Sequence, residues 1–237
     1  MKALIVGRGK MGTLLAELLE AQGHEVLGMY DRHVLQELSR LKAVPEVVID
    51  FSHPDNQAWL LPYVKETGAA LVCGTTGLSE AQQTALLELT QTNAVFYAAN
   101  FSYGIAVLAE ALRLAAPMLK GSFDMEITET HHRQKVDAPS GTAKLLADVL
   151  DPAGEYTRVY GREGQVGARG KEIGMHALRG GTVAGEHSVY FLGQDEELCF
   201  THRAESRRIF ANGAIRAAVF VCGKPKGRYS MQDLVRA

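Results

Sequence analysis

Residues 131 to 142 read His-His-Arg-Gln-Lys-Val-Asp-Ala-Pro-Ser-Gly-Thr, the densest run of reactive side chains in the chain. It offers imidazoles that exchange protons near neutral pH, a guanidinium at Arg133 and an ammonium at Lys135. Adjacent residues on an extended segment point to opposite sides, so His131 and His132 are poor joint metal ligands. No third ligand stands nearby at metal spacing, and no metal is expected. Ser140-Gly141-Thr142 follows Pro139 and opens a helix, whose first N–H groups are free to meet an anion. Such a set suits a small carboxylate that must also receive a proton. A solvated polar loop has the same composition, and composition alone leaves that alternative open. Ser140 as a nucleophile is a further option, but no G-x-S-x-G elbow surrounds it.

A second constellation lies at the start of the chain. Gly7-Arg8-Gly9-Lys10-Met11-Gly12 fits G-x-G-x-x-G between an apolar run and a helical pattern. Glycines there permit a tight turn and let backbone approach a pyrophosphate at a helix N-terminus. Asp31 stands nineteen residues after Gly12, where a carboxylate would take ribose hydroxyls. Beside it, Arg32 can turn toward a 2′-phosphate, with Lys10 as a second cation, or remain a solvated surface residue. Gly74-Thr75-Thr76-Gly77 and Ala98-Ala99-Asn100-Phe101 follow later strands and are placed to line the nicotinamide end of a dinucleotide. They could equally be ordinary turns.

These groups need a scaffold. Over the first hundred residues, apolar runs at 3–6, 25–30, 46–51, 70–73 and 94–98 alternate with helical patterns at 11–22, 33–41, 52–67 and 79–91. Five strands alternating with helices predict an α/β, Rossmann-like, doubly wound parallel sheet. The second half reads differently. A helix at 105–119 leads to an alternating strand at 123–130, and a helix at 141–150 precedes a loop, rich in glycine and charge, at 151–171. Strands then fall at 172–177, 187–192 and 197–204, an α+β pattern with one sheet face covered. A last helix at 207–221 could return to the first domain. The expected division is 1–102 with 208–237, against 103–207.

The chain's 237 residues suit one large or two small domains at roughly 150 residues each. Lys plus Arg number 25 and Asp plus Glu 27, so the basic surplus of a nucleic-acid binder is missing. Cys73, Cys199 and Cys222 stand far apart, which argues for a reducing compartment and against a disulfide framework. No apolar stretch could span a bilayer, and a cytoplasmic protein is expected.

The run Glu129-Thr130-His131-His132-Arg133-Gln134-Lys135-Val136-Asp137-Ala138-Pro139-Ser140-Gly141-Thr142 resembles the E-x-H-H-x-x-K-x-D-x-P-S-G-T signature of the 4-hydroxy-tetrahydrodipicolinate reductase (dihydrodipicolinate reductase) family. The likeness extends to Asp50-Phe51-Ser52, the segments after residues 73 and 97, Arg179-Gly180-Gly181, Gly185-Glu186-His187 and Phe210-Ala211-Asn212-Gly213-Ala214. Its first glycine turn is one residue shorter than in many members, and only 18 residues separate Asp31 from Asp50. Both departures fall at the adenosine end. The resemblance implies reduction of cyclic, dehydrated 4-hydroxy-tetrahydrodipicolinate by NADH or NADPH in lysine and diaminopimelate biosynthesis. It implies His131 and Lys135 as acid/base residues, His132, Gly141 and Thr142 as substrate-holding residues, and pairing of substrate-domain sheets into a homotetramer. The rivals are another two-domain dehydrogenase acting on an amino or imino acid, and a catalytically silent dinucleotide sensor. The His131 to Lys135 cluster separates the sensor, since dinucleotide binding does not require it.

Overall fold

Glycines and short apolar runs set the first elements. The computed structural model describes residues 1–237, the side chain of Glu37 excepted. Strand β1 (Lys2–Val6) carries four consecutive residues with no exposure, as a strand covered on both faces must. Helix α1 (Lys10–Ala21) buries Leu15 and Leu19, and Gly23 follows it at φ 77°. Next come β2 (Glu25–Tyr30), a single helical turn α2 (Leu35–Leu38), β3 (Val47–Asp50) and a 3₁₀ turn at Pro54–Asn56. Helix α3 (Gln57–Thr67) stops at left-handed Gly68, and β4 (Ala70–Cys73) follows. The Ser79–Gln82 capping box then starts α4 (Glu80–Leu89), ahead of β5 (Ala94–Tyr97). The helix expected over 33–41 is a single turn, and Val34, Leu38 and Leu41 of that stretch, only partly buried, pack against the core.

The chain divides into two compact units, Met1–Tyr103 with Arg208–Ala237, and Gly104–Arg207. Helix α5 (Tyr103–Leu119) leads into the second, which holds β6 (Asp124–His131), α6 (Gly141–Leu150), β7 (Thr157–Tyr160), β8 (Glu172–Arg179), β9 (Gly185–Leu192) and β10 (Glu197–Ala204). Its mixed sheet runs β10-β9-β6-β8-β7. One face packs on α5 and α6 through Met125, Ile127, Met175, Val189 and Phe191. The loop expected over 151–171 contains a strand instead. The buried Asp151 carboxylate accepts the backbone N–H groups of Glu155 and Tyr156 at 3.0 and 2.9 Å, which turns the chain back so that β7 joins the sheet edge in parallel with β8. Charge that reads as a loop signal is here a folding contact.

After the second unit, α7 (Arg208–Val221) packs on α1, β4 and β5. Strand β11 (Gly227–Tyr229) and helix α8 (Met231–Arg236) end the chain. The first sheet is therefore six strands, not five, all parallel in the order β11-β5-β4-β3-β1-β2. Three residues are too few for β11 to show a period. All strand ends followed by predicted ligand segments lie on one edge, and the order reverses at β1 and β3, where α/β sheets of this type take ligands. No helix among the described residues is long and apolar enough to cross a membrane.

Candidate active site

On β6, alternation carries the site. Met125 and Ile127 face the core, and the same two-residue period brings Glu129 and His131 to that face. At this end of the strand the apolar core gives way to a buried polar cluster. The Glu129 carboxylate, 1% exposed, receives both Arg179 terminal nitrogens, Nη2 to Oε1 at 2.8 Å and Nη1 to Oε2 at 3.0 Å. Ser140 donates its backbone N–H to Oε1 at 3.0 Å, and His131 Nδ1 lies against Oε2. Strand register explains the convergence: Arg179 stands opposite His131 on β8, and His187 stands opposite Glu129 on β9.

Ser140 caps α6, accepting the Ala143 N–H at 3.2 Å, with His187 Nε2 at 3.0 Å from its hydroxyl. The His131 and His187 rings meet edge to face at 5.1 Å. Burial holds the His187 imidazole down to about 4, with His131 adding to the effect. His131 is also lowered, by burial, although the Glu129 carboxylate pulls the other way. Burial alone would raise Glu129, yet the Arg179 guanidinium, the Ser140 N–H and His131 hold it below the ordinary carboxylate range.

The polar run places its cations around this cluster. Lys135 Nζ pairs with Asp137 Oδ1 at 2.8 Å, and Arg179 Nη2 donates to the Asp137 carbonyl at 2.7 Å. His132 turns away from His131, as expected of neighbours on an extended segment. Its Nε2 lies 3.4 Å from Arg207 Nη2, beside a cavity of about 420 Å³ lined also by Arg133, Gln134 and Thr182. Gly141 and Thr142 form the first turn of α6, directly after the buried Ser140. Sequence reasoning gave no role to Glu129, Arg179 or His187. The signal for Glu129 was its place two residues before His131, on the same strand face. The expectation of no metal also needs correction in its premise: Glu129, His131 and His187 bring ligand-type atoms within 4.8 Å of one another, a grouping built across strands that spacing along the chain could not show. The bidentate guanidinium on Glu129 opposes a cation there.

In the first unit the glycine turn follows β1. A Cβ on Gly7 would meet the Phe51 carbonyl oxygen at 2.5 Å, and one on Gly12 would meet the Gly7 carbonyl oxygen at 1.9 Å, so packing demands both glycines. Gly9, the N-cap of α1, has nothing within 4 Å of that position. Space is open where the helix presents its free N–H groups, and Arg8 and Lys10 flank it in exposed positions; Met11 is half-buried in the first turn. Asp31 Oδ1 accepts the His33 N–H at 2.9 Å. The Arg32 guanidinium pairs with Asp55, both about half exposed. Gly74 follows β4, and Thr75 is buried, its hydroxyl accepting the Ser52 N–H at 2.9 Å, so only Thr76 of the two threonines is exposed. Ala98 and Ala99 follow β5, Asn100 Oδ1 accepts the Ser102 N–H at 2.7 Å, and Phe101 is buried against Phe51 and Phe96.

A parallel sheet with a glycine turn after its first strand, joined in one chain to a mixed-sheet unit bearing a buried acid–histidine–arginine cluster, defines a two-unit Rossmann-type oxidoreductase. Residues 1–101 match the family model described as dihydrodipicolinate reductase, N-terminus, and residues 104–235 match its C-terminal counterpart. Proteins named 4-hydroxy-tetrahydrodipicolinate reductase from Staphylococcus aureus and an Exiguobacterium species are 42% and 41% identical, each over 99% of this chain and over 100% and 95% of their own lengths. A dipicolinate-bound dihydrodipicolinate reductase from a Paenisporosarcina species shares the fold at TM-score 0.79 and 23% identity, over 97% of both chains. The chain belongs to the dihydrodipicolinate reductase family.

Proposed function

We propose that this protein reduces cyclic, dehydrated 4-hydroxy-tetrahydrodipicolinate to tetrahydrodipicolinate, within lysine and diaminopimelate biosynthesis in the cytoplasm. The observation that carries this reading is the buried Glu129–His131–Arg179 cluster placed directly before a helix start, in a chain 42% identical to a named reductase of that substrate. Residues 103–207 form the substrate-binding and oligomerisation domain, and residues 1–102 with 208–237 the dinucleotide-binding domain.

A bound nicotinamide nucleotide supplies the hydride. The residues present fit such a group, because Gly9 leaves open space over the α1 N-terminus and Arg8 and Lys10 flank it. Gly7, Gly9, Met11 and Gly12 would shape the turn around the pyrophosphate, and Asp31 would accept from the ribose hydroxyls. Gly74, Thr75, Thr76, Ala98, Ala99, Asn100 and Phe101 would bound the nicotinamide end. Gly141 and Thr142 offer helix N–H groups, and Thr142 its hydroxyl, to one substrate carboxylate, with His132 as a further polar contact and the Lys135 ammonium adding positive charge. Hydride addition to a ring carbon conjugated with the imine leaves an enamine, which takes a proton from His131 or Lys135.

Both NADH and NADPH are accepted on this reading. Asp31 favours free hydroxyls, while Arg32 is available to a 2′-phosphate once it leaves Asp55. The outer face of the second sheet, where Leu178 is 53% exposed, supports assembly into a homotetramer. The deciding experiment follows NADH absorbance with freshly generated substrate, and with pyruvate or an imino acid as controls. Turnover of the dicarboxylate alone is expected; turnover of an imino acid instead would favour the other dehydrogenase reading, and binding without turnover the sensor. Pyridine-2,6-dicarboxylate should compete with substrate. Thr142→Val should weaken that inhibitor by about 1–3 kcal/mol, the cost of a lost hydrogen bond to a charged group.

A further inference from the structure

We propose that Glu129, clamped by Arg179, is a positioning residue that fixes which nitrogen of His131 exchanges a proton and locks that ring to the anion-binding helix start. The inference rests on the reading of His131 as a proton donor. Both Glu129 oxygens are fully engaged: Oε2 by His131 Nδ1 and Arg179 Nη1, Oε1 by Arg179 Nη2 and the Ser140 N–H. An ionised carboxylate only accepts, so the shared proton sits on Nδ1 and the exchangeable end is Nε2. Arg179 keeps the carboxylate ionised in a buried place where it would otherwise tend to protonate.

The same carboxylate reaches the other half of the site. Ser140 is the N-cap of α6, and its own N–H is tied to Glu129, so the turn presenting Gly141 and Thr142 is anchored to the group that orients His131. Arg179 also holds the Asp137 carbonyl, which fixes the loop carrying Lys135. Proton donor, ammonium and helix start thus share one anchor. When His131 gives up its proton, the Nε2–H bond breaks and the substrate C–H bond forms. The imidazolium becomes neutral and keeps Nδ1–H on Glu129. The charged or titratable groups facing His131 are Glu129 on its own strand, Arg179 on β8, His187 on β9 and Lys135 from the loop.

The test compares Glu129→Gln and Glu129→Asp with the unaltered full-length protein. In the glutamine variant, Arg179 and Ser140 claim the amide oxygen, so the amide NH₂ faces Nδ1 and moves the ring proton to Nε2. The fall of kcat/KM with rising pH is expected at lower pH in Glu129→Gln, since the carboxylate that favours the imidazolium is gone. Its kcat should drop roughly 10²-fold, with NADH affinity within about twofold. Glu129→Asp should return the pH profile toward the original while recovering only part of the rate. A Glu129→Gln profile superimposable on the original, or nitrogen NMR of labelled histidine showing Nδ1–H retained on His131, would overturn the proposal. If the glutamine variant does not fold, the aspartate variant decides: an acid-shifted profile despite its carboxylate overturns the inference equally. His131→Ala separates the two ideas, because normal turnover there would remove the proton-donor reading itself.

Discussion

Asp55–Arg32 with His53, and Glu129–Arg179 with His131, are the same three chemistries in two environments. In the first, Arg32 and Asp55 are 49% and 52% exposed, and His53 Nδ1 lies 3.3 Å from Asp55. In the second, Glu129 and His131 side chains are 1% and 11% exposed. Two unit charges about 4 Å apart interact by about 1 kcal/mol in water and about 4 kcal/mol at an effective dielectric of 20. The exposed pair is therefore weak, screened by salt and free to exchange partners. The buried set must be complete or it is costly. Exposure suits a locus that reads a variable group, and burial suits one that holds a geometry.

The sharpest break of this comparison lies in the rate. His131→Ala and Lys135→Ala should each lose about 10²–10⁴-fold in turnover with NADH affinity changed by less than about tenfold, measured by steady-state kinetics and cofactor titration. Loss of NADH binding in either folded variant would contradict the separation of roles. A smaller effect is expected at the exposed locus. Removing Arg32 should weaken NADPH by about 1–3 kcal/mol, roughly 5- to 150-fold, and leave NADH nearly unchanged. Asp31→Asn should weaken NADH and spare or improve NADPH. Asp55→Asn frees Arg32 and should tighten NADPH by a few-fold, since a surface pair contributes about 0–1 kcal/mol. Parallel losses for both cofactors, in titrations at one ionic strength, would show that these residues do not read the 2′ position.

The smallest effect is on stability. Burial lowers His131, His187 and His202 below the ordinary imidazole value of 6.5. The folded state therefore binds fewer protons than the unfolded chain just below that value, and stability falls as pH drops, for His187 down to about 4. Glu126, Glu129 and Asp151 are held below the usual carboxylate range, so their contributions persist until lower pH. Melting temperature should thus decline from about pH 6.5 down to about 4 as the histidines charge, and His187→Gln should flatten that slope. An unchanged slope would mean that His187 titrates normally.

Much of this molecule is written locally. The continuous apolar runs, Gly23 and Gly68 after their helices, the Ser79–Gln82 box and the strand–glycine–helix start each depend on near neighbours, and they determine the parallel sheet and its ligand edge. The polar run from His131 to Thr142 was legible for the same reason. Strand β11, strand β7 and the partners of Glu129 were not. Three residues cannot show a period, and a charged glycine-rich stretch gives no sign that Asp151 will fold it back. Arg179 lies fifty residues from Glu129, and only strand register sets it on that carboxylate; only burial then shifts the titrations of Glu129 and His131. The residue types come from the sequence, but the charge each one carries is decided by neighbours and solvent exclusion that exist only in the folded chain.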